Sequence, residues 1–355
     1  MVKTRKVYLD ILRIIAIICV IYNHTNKRGY CLYAFESALP LKMFYIIMAE
    51  LVAIGVPLFF MISGALLLGK EETIGDVYKK RLLRMFIVLI VFSLIQFIYQ
   101  VYIGEMTATI GAFCNNIITK SMVPSYWFLY TYLAFLIILP LLRKLVKAMS
   151  EDDFKYLIIL YLLIEGALAV ILYLLGYESY SMFFERPFFD RIVIYPLVGY
   201  YLENRVPREK YNSTGLKKLL FASLVTFVVF VTMTLYRNMP YEKFTTYDKG
   251  LYTCGLTIVL DITVFYLIKY LFDIRIDNAS VSTRVYKMVT MVGSAIFGVY
   301  LVEGNVRYYT EFIDAFLSDY VGAFPAAVVW VLIVFVISLM ISFVMKRIPG
   351  LKKLL

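Results

Sequence analysis

The sequence contains a single histidine, and its four cysteines form no CxxC pair and no other spacing typical of a metal site. That scarcity excludes the common cysteine- and histidine-based metal centres, so we expect no metal. Charged residues are also scarce, at 17% of the chain, against roughly 25% in an average soluble domain. A soluble globular protein of this length is therefore disfavoured.

Long apolar runs fill most of the chain, of which 62% is hydrophobic. Each run has about 17–25 residues, enough to cross a hydrocarbon layer of roughly 30 Å. The pattern predicts an all-α polytopic integral membrane protein with about ten transmembrane helices, forming a single transmembrane domain over residues 1–355. The predicted spans are 7–26, 45–68, 83–103, 126–146, 155–175, 188–203, 217–236, 251–271, 291–308 and 323–345.

The basic residues predict the orientation of these spans. With the N-terminus cytoplasmic, the inner segments hold 25 Lys and Arg residues and the outer loops hold 10. Short cytoplasmic loops are enriched in such residues, so we expect both termini inside, in a multi-pass protein of the plasma membrane whose partner is the lipid bilayer. The basic residues sit at helix ends and form no dense patch with interleaved aromatics, which excludes nucleic acid as a partner.

Cys31 and Cys114 would both lie in outer loops, where a disulfide between them is conceivable.

Ionisable residues interrupt the first predicted span. Such groups cost at least roughly 2.5–3.5 kcal/mol at the bilayer centre, so each is a functional candidate. Arg13 and His24 are eleven residues apart, close to three helical turns, so both project from one face, about 16 Å apart along the axis. Asp10 can neutralise Arg13 as an i, i+3 pair and give structural support. His24, beside Asn23, is suited to general base catalysis near neutral pH, the alternative being an interfacial residue at a helix end.

Two acids in other spans lie at the predicted depth of His24. They are Glu50 in the second span and Glu303 in the ninth. Either carboxylate can accept a hydrogen bond from the imidazole Nδ1–H and stabilise the imidazolium, as the acid of a catalytic triad does. The candidate catalytic residues are therefore His24, Arg13, Glu303 and Glu50, with the choice between the two acids left open.

A basic cluster stands at the start of the third span, where Lys80, Arg81 and Arg84 follow one another closely. The planar fork of arginine suits phosphate, so these residues are candidates to bind the phosphates of an anionic cytoplasmic ligand. Ordinary anchoring by cytoplasmic basic residues is the alternative.

Small and aromatic residues give two further interpretations. Ser63 and Gly64 permit a close approach of helices, which would be a structural role. Trp127 lies at the predicted outer interface, either as an aromatic-belt anchor or as a stacking surface for a sugar ring. Trp127 and Asn23 are therefore the candidate substrate contacts.

Taken in chain order, these residues resemble the acyltransferase-3 family. Asp10 and Arg13 sit as in the family's D-x-x-R start, and Arg13 with His24 reproduces its R-x₁₀-H spacing. Three further segments resemble its F-F-x-x-S-G, R-x-x-R and W-F-L segments: PLFFMISGALL (57–67), KRLLR (80–84) and YWFLY with LPLL (126–142). The resemblance covers essentially the whole chain. It departs from the family in the ninth span, where Glu303 replaces a frequent second histidine.

The resemblance implies a membrane O-acyltransferase. Its expected reaction transfers an acyl group, most often acetyl from acetyl-CoA, to a hydroxyl of a cell-surface or exported polysaccharide or glycolipid. It also implies that Arg13 and His24 are essential and that Arg81 and Arg84 contact the CoA phosphates. Whether the group is acetyl or succinyl stays open. A transporter or exporter of a glycan or acylated intermediate is the alternative, and a structural or sensory membrane subunit is a third.

Overall fold

A computed structural model describes residues 5–176, 191–238, 251, 253–275 and 283–355. These residues fold into helices, with no β-strand among them, as the sequence predicts. In chain order the helices are α1 (Val7–Asn23), α2 (Leu39–Val52), α3 (Gly55–Leu67), α4 (Ile74–Tyr102), α5 (Ile110–Thr119), α6 (Trp127–Ala148), α7 (Glu151–Leu174), α8 (Arg191–Asn204), α9 (Ser213–Asn238), α10 (Thr257–Lys269), α11 (Thr283–Val321), α12 (Ala323–Met345) and α13 (Pro349–Leu354).

Seven helical segments in the described part of the chain are long and apolar enough to cross a membrane. They correspond to seven of the ten predicted spans, and the second span is the pair α2 and α3 joined by a short turn. The full count of ten and the cytoplasmic location of the termini stay predictions. The seven segments are Leu39–Leu67, Ile74–Tyr102, Pro124–Ala148, Glu151–Leu174, Ser213–Asn238, Arg284–Val321 and Ala323–Met345.

The other three predicted spans correspond to the shorter helices α1, α8 and α10. These helices have 17, 14 and 13 residues, and α10 continues into a wider π-helical turn, Tyr270–Arg275. Residues 188–190 and 252 of the predicted spans lie outside the described residues. At 1.5 Å per residue, even α1 extends only about 26 Å. Most of the apolar side chains of these three helices are buried, so they lie in the interior of the bundle.

A network of charges centred on the buried Glu203 joins the three short helices. Glu203 near the end of α8 is hydrogen-bonded to Lys6 and Tyr8 at the start of α1. The Nζ atom of Lys269, at the end of α10, lies 3.0 Å from Oε2 of Glu203. Because charges in a low-dielectric interior are costly unless they are paired, this network specifies how the ends of the three helices meet.

Ion pairs hold the loop after α1 to α11. The guanidinium of Arg28 donates to Glu311 at 2.6 Å and to Asp314 at 3.4 Å. Cys31 and Cys114 are joined by no disulfide, so the conceivable bridge between outer loops is not formed. The segment that follows the C-terminal end of α1 is therefore fixed by electrostatic contacts.

Helices α3 and α8 touch through their backbones. A methyl group added at Gly64 would overlap the backbone of Pro196, and one added at Gly199 would overlap the backbone of Met61. Small residues at such crossings let helices pack closely, which is a recurrent means of association in membrane proteins. Gly64 thus lies where α3 holds the interior helix α8.

We expect Gly64→Ala to destabilise the protein by roughly 1–3 kcal/mol, because the added methyl group forces the two backbones apart. The matched control is Gly111→Ala in α5, where an added Cβ meets nothing within 4 Å. That control should melt at or slightly above the wild-type temperature, since alanine favours the helix. Thermal unfolding in detergent measures both. Equal melting temperatures for the two variants would contradict the close crossing.

Candidate functional site

One face of α1 lines two separate openings. Leu9 and Arg13 line a cavity of about 800 Å³. Val20 and His24 line a much smaller crevice of about 10 Å³. Because residues eleven apart return to nearly the same side of a helix, Arg13 and His24 serve different openings along one face. We call these openings the basic cavity and the histidine crevice.

His24 is hydrogen-bonded to a carboxylate of α11. It follows the last residue of α1, and its Nδ1 lies 2.9 Å from Oε1 of Glu303. Glu303 is fully buried, and Nε of Arg307, one turn further along α11, lies 3.7 Å from its Oε2. An ionised Glu303 accepts the hydrogen bond from Nδ1–H and leaves Nε2 as the nitrogen that can exchange a proton. The same carboxylate stabilises the imidazolium, as in a catalytic triad.

Glu50 does not contact this histidine. It is fully buried in α2, and neither of its carboxylate oxygens has a hydrogen-bond partner among the described residues. The prediction of a carboxylate at the depth of His24 named two acids, and the structure brings only Glu303 to the imidazole. Depth within the membrane does not specify the side of the helix on which a residue lies, so the sequence left both open.

The histidine crevice has room for about one water molecule. Trp127, the first residue of α6, lines it with His24 and has 39% of its surface exposed. Ser125 also lines it, and its buried hydroxyl has no hydrogen-bond partner in the described part of the chain. Asn23, the other predicted substrate contact, is not among the lining residues. These are Val20, His24, Val56, Phe59, Ser125, Trp127, Phe128 and Tyr300.

Two reciprocal hydrogen bonds fasten the turn before α6 to α11. The hydroxyl of Tyr300 donates to the carbonyl oxygen of Ser125 at 2.5 Å. The hydroxyl of Tyr126 donates to the carbonyl oxygen of Leu301 at 3.0 Å. Because α11 also carries Glu303, the same helix positions the histidine and the turn that faces it.

The basic cavity collects positive charge from several parts of the chain. Among the described residues that line it, Glu203 is the one acidic side chain. Clefts lined by one sign of charge attract ions of the opposite sign, so this cavity favours a large anion. Its basic side chains are Arg5, Lys6, Arg13, Lys70, Lys80, Arg81, Arg84 and Lys346.

Asp10 is hydrogen-bonded to two of these arginines. It is fully buried and accepts a hydrogen bond from Arg13, the i, i+3 partner that the sequence indicates. Arg5 adds a bidentate contact to the same carboxylate, at 2.6 and 2.9 Å. One carboxylate thus holds both guanidinium groups at the wall of the cavity and leaves the pair with a net positive charge.

Arg81 and Lys80 each form an ion pair with an acidic residue that lies close to them in the sequence. Arg81 makes a bidentate contact with Glu72 at 2.6 and 2.9 Å, and Arg143 donates to the same carboxylate at 2.8 Å. The hydrogen bond from Arg81, with a further one from Arg143, lowers the pKa of Glu72 to about 2. Glu72 therefore stays charged through the pH range in which an ordinary glutamate is protonated, and its ion pairs are lost only as the pH falls towards 2. Lys80 lies 2.7 Å from Asp76, one turn earlier.

Arg84 and Lys346 bind backbone carbonyl groups. The guanidinium of Arg84 donates to the carbonyl oxygen of Leu354 at 2.9 and 3.0 Å. Nζ of Lys346, just after α12, donates to the carbonyl oxygen of Ser294 at 2.5 Å. Burial lowers the pKa of Lys346, and the nearby positive charge of Arg5 acts in the same direction. Carbonyl groups hold these side chains without cancelling their charge.

The remaining predicted residues have structural surroundings. The hydroxyl of Ser63 donates to the carbonyl oxygen of Phe59 at 2.8 Å, and its side chain lines the basic cavity. Gly64, on the next position of α3, packs on Pro196.

Sequence reasoning did not identify several of the residues that line the two openings. Ser125 stands two positions before Trp127. Tyr300 precedes Glu303 by three positions, a spacing that places both on one side of α11. Arg5 and Lys346 come from the two ends of the chain, so only the folded structure brings them together.

The two buried glutamates offer a direct test of the hydrogen bond to His24. We expect Glu303→Gln to lower the rate of the acyl transfer that the family resemblance implies about 100-fold, because an amide does not stabilise the imidazolium as a carboxylate does. Glu50→Gln is the matched control, and its rate should stay within about twofold of wild type because Glu50 contacts no imidazole. Initial rates with equal amounts of inserted protein measure both, and equal losses would contradict the assignment.

Comparison with known proteins identifies the family of this chain. The sequence model of the acyltransferase-3 family, described as an acyltransferase domain, matches residues 6–347. Neither the curated proteins nor the solved structures include a match to this chain. The family match runs from the first residue before α1 to the residues after α12, and so contains both Arg13 and the His24–Glu303 pair. The chain belongs to the acyltransferase-3 family.

Proposed function

We propose that this membrane acyltransferase transfers an acyl group, acetyl from acetyl-CoA, to a hydroxyl of a cell-surface or exported polysaccharide or glycolipid. One observation carries the proposal: the His24–Glu303 pair lies at a crevice that shares walls with a large basic cavity. A proton-transfer group and an anion-binding site thus meet within one bundle.

The basic cavity suits the donor. An acyl-CoA carries several phosphate charges at one end and its thioester at the end of a long, uncharged arm. The eight basic side chains outnumber the four carboxylates that pair with them, so the cavity keeps a net positive charge for the phosphates. Its volume of about 800 Å³ lies in the usual range of ligand pockets. Arg81 and Arg84, in their carboxylate and carbonyl contacts, are held in position to face the phosphates.

His24 supplies the proton transfer. As the acceptor oxygen forms its bond to the acyl carbon, Nε2 takes the hydroxyl proton, and Glu303 stabilises the imidazolium through Nδ1. The carbon–sulfur bond then breaks and the proton passes to the departing CoA sulfur, which restores neutral His24. In a second form of the same reaction, His24 first accepts the acyl group and then passes it to the hydroxyl.

Arg13 and Ser125 take separate roles in this proposal. Arg13 lines the basic cavity and not the histidine crevice, so it orients the donor. The buried hydroxyl of Ser125 lies in the crevice without a hydrogen-bond partner among the described residues. It is therefore available to donate a hydrogen bond to the thioester carbonyl oxygen of the donor as negative charge develops on that oxygen.

The alternative of a transporter is not favoured, because the family match is to an acyltransferase domain.

The His24→Ala variant tests the reaction most simply. In a strain that lacks the gene, we expect the wild-type gene to restore O-acyl groups on the surface glycan. The His24→Ala gene should restore less than about 1% of them, since general base catalysis contributes roughly 10²–10⁴-fold. Base-released acetate, measured per amount of membrane-inserted protein, gives the comparison.

Asn23→Ala is the control for that experiment, because Asn23 adjoins His24 and does not line the crevice. It should restore O-acylation to at least about half of the wild-type level. A His24→Ala protein that inserts in the membrane and restores acylation at the wild-type rate would refute the proposed reaction.

A pair of lysines tests the location of the donor. Lys80 and Lys155 each form an i, i+4 ion pair, but only Lys80 lines the basic cavity. We expect Lys80→Gln to raise the half-saturating acetyl-CoA concentration about three- to tenfold, equivalent to roughly 1 kcal/mol. Lys155→Gln should leave it unchanged. Equal values for both variants would place the donor elsewhere.

A further inference from the structure

Three aromatic side chains separate the basic cavity from the histidine crevice. Phe59 of α3, Phe128 of α6 and Tyr300 of α11 line both openings. We call these three residues the aromatic septum. They come from three different helices, so the septum closes the space between those helices next to α1.

The septum is held by ring contacts and by one hydrogen bond. Phe128 stands in its centre, with ring centroids 6.0 Å from Phe59 and 5.5 Å from Tyr300, the latter edge to face. Tyr132 stacks on Phe128 from the cavity side at 5.9 Å. The hydroxyl of Tyr300 is fixed to the carbonyl oxygen of Ser125 at 2.5 Å. Such edge-to-face and offset arrangements are favourable geometries for aromatic rings.

Space beside His24 is scarce on the crevice side of the septum. The crevice measures about 10 Å³, which corresponds to one water molecule. The acyl group is the leading end of an acyl-CoA molecule that extends from the basic cavity towards His24. An acyl-CoA that reaches the imidazole must therefore bring its acyl group past the septum. The crevice is smaller than an acetyl group, so the aromatic rings must move apart, and by more for each further methylene.

We propose that the aromatic septum is the specificity determinant for acyl chain length and restricts transfer to acetyl and groups of similar size. This inference rests on the proposed function, because it assumes an acyl-CoA donor in the basic cavity. Close-packed interiors exclude even one additional methylene when no space receives it. Hydrophobic pockets commonly discriminate about tenfold or more per methylene, and we expect such a decline from acetyl to propionyl to butyryl.

Phe59→Ala tests the proposal because it opens the septum and leaves His24, Glu303 and Ser125 unchanged. Inverted membrane vesicles from the native strain receive acetyl-, propionyl- or butyryl-CoA labelled in the acyl group. The label bound to vesicle glycan is then measured against vesicles with His24→Ala. We expect the butyryl-to-acetyl ratio to rise at least about tenfold in Phe59→Ala. Phe59→Leu is a milder change and should also raise the butyryl-to-acetyl ratio. It replaces Phe59→Ala in the test if that variant inserts poorly.

Phe97→Ala is the matched control. Phe97 is buried in α4 against Phe113 and lines neither opening, so its loss should reduce stability without changing the butyryl-to-acetyl ratio. An unchanged ratio in both Phe59 variants, or equal use of acetyl and butyryl by the wild type, would overturn the role of the septum and leave acyl transfer intact. No label above the His24→Ala background with any acyl-CoA would overturn the proposed function, and the inference with it.

Discussion

Charges enclosed among apolar helices are costly unless they meet opposite charges or hydrogen-bond partners, because the interior solvates them poorly. That constraint accounts for the arrangement around α1. Asp10 holds Arg5 and Arg13, and Glu203 holds Lys6 and Lys269. Asp10, Arg13, Glu203 and Lys269 stand on the short helices α1, α8 and α10, which lie inside the bundle among longer apolar helices. Arg5 and Lys6 directly precede α1.

The same constraint separates two electrostatic environments along α1. At one end, basic side chains outnumber acidic ones and surround a large cavity. At the other, one imidazole meets one buried carboxylate in a narrow crevice. The first environment suits the binding of an anionic donor, and the second suits the transfer of a single proton. The aromatic septum lines both openings and stands between these two environments.

Periodicity predicted much of this arrangement. The all-α fold followed from long apolar runs, and the common face of Arg13 and His24 followed from their spacing of eleven residues. The count of ten spans treated interior and lipid-facing helices alike, since both are apolar in sequence. The choice between Glu50 and Glu303 depended on how helices far apart in sequence rotate against each other, which local patterns do not encode. Ser125 and the aromatic septum were missed for the same reason. Aromatic residues at helical spacing predict packing in general and no particular neighbour, and a lone serine in a loop predicts none either.

The central claim is that an acyl group passes from a donor in the basic cavity to an acceptor at the histidine crevice, so the donor has access from one side only. Labelled acetyl-CoA, which does not cross membranes, tests this most directly when it is supplied to inverted and to right-side-out vesicles. The account predicts His24-dependent labelling of glycan in inverted vesicles and none in sealed right-side-out vesicles. Equal labelling in both orientations, or labelling that persists with His24→Ala, would contradict it.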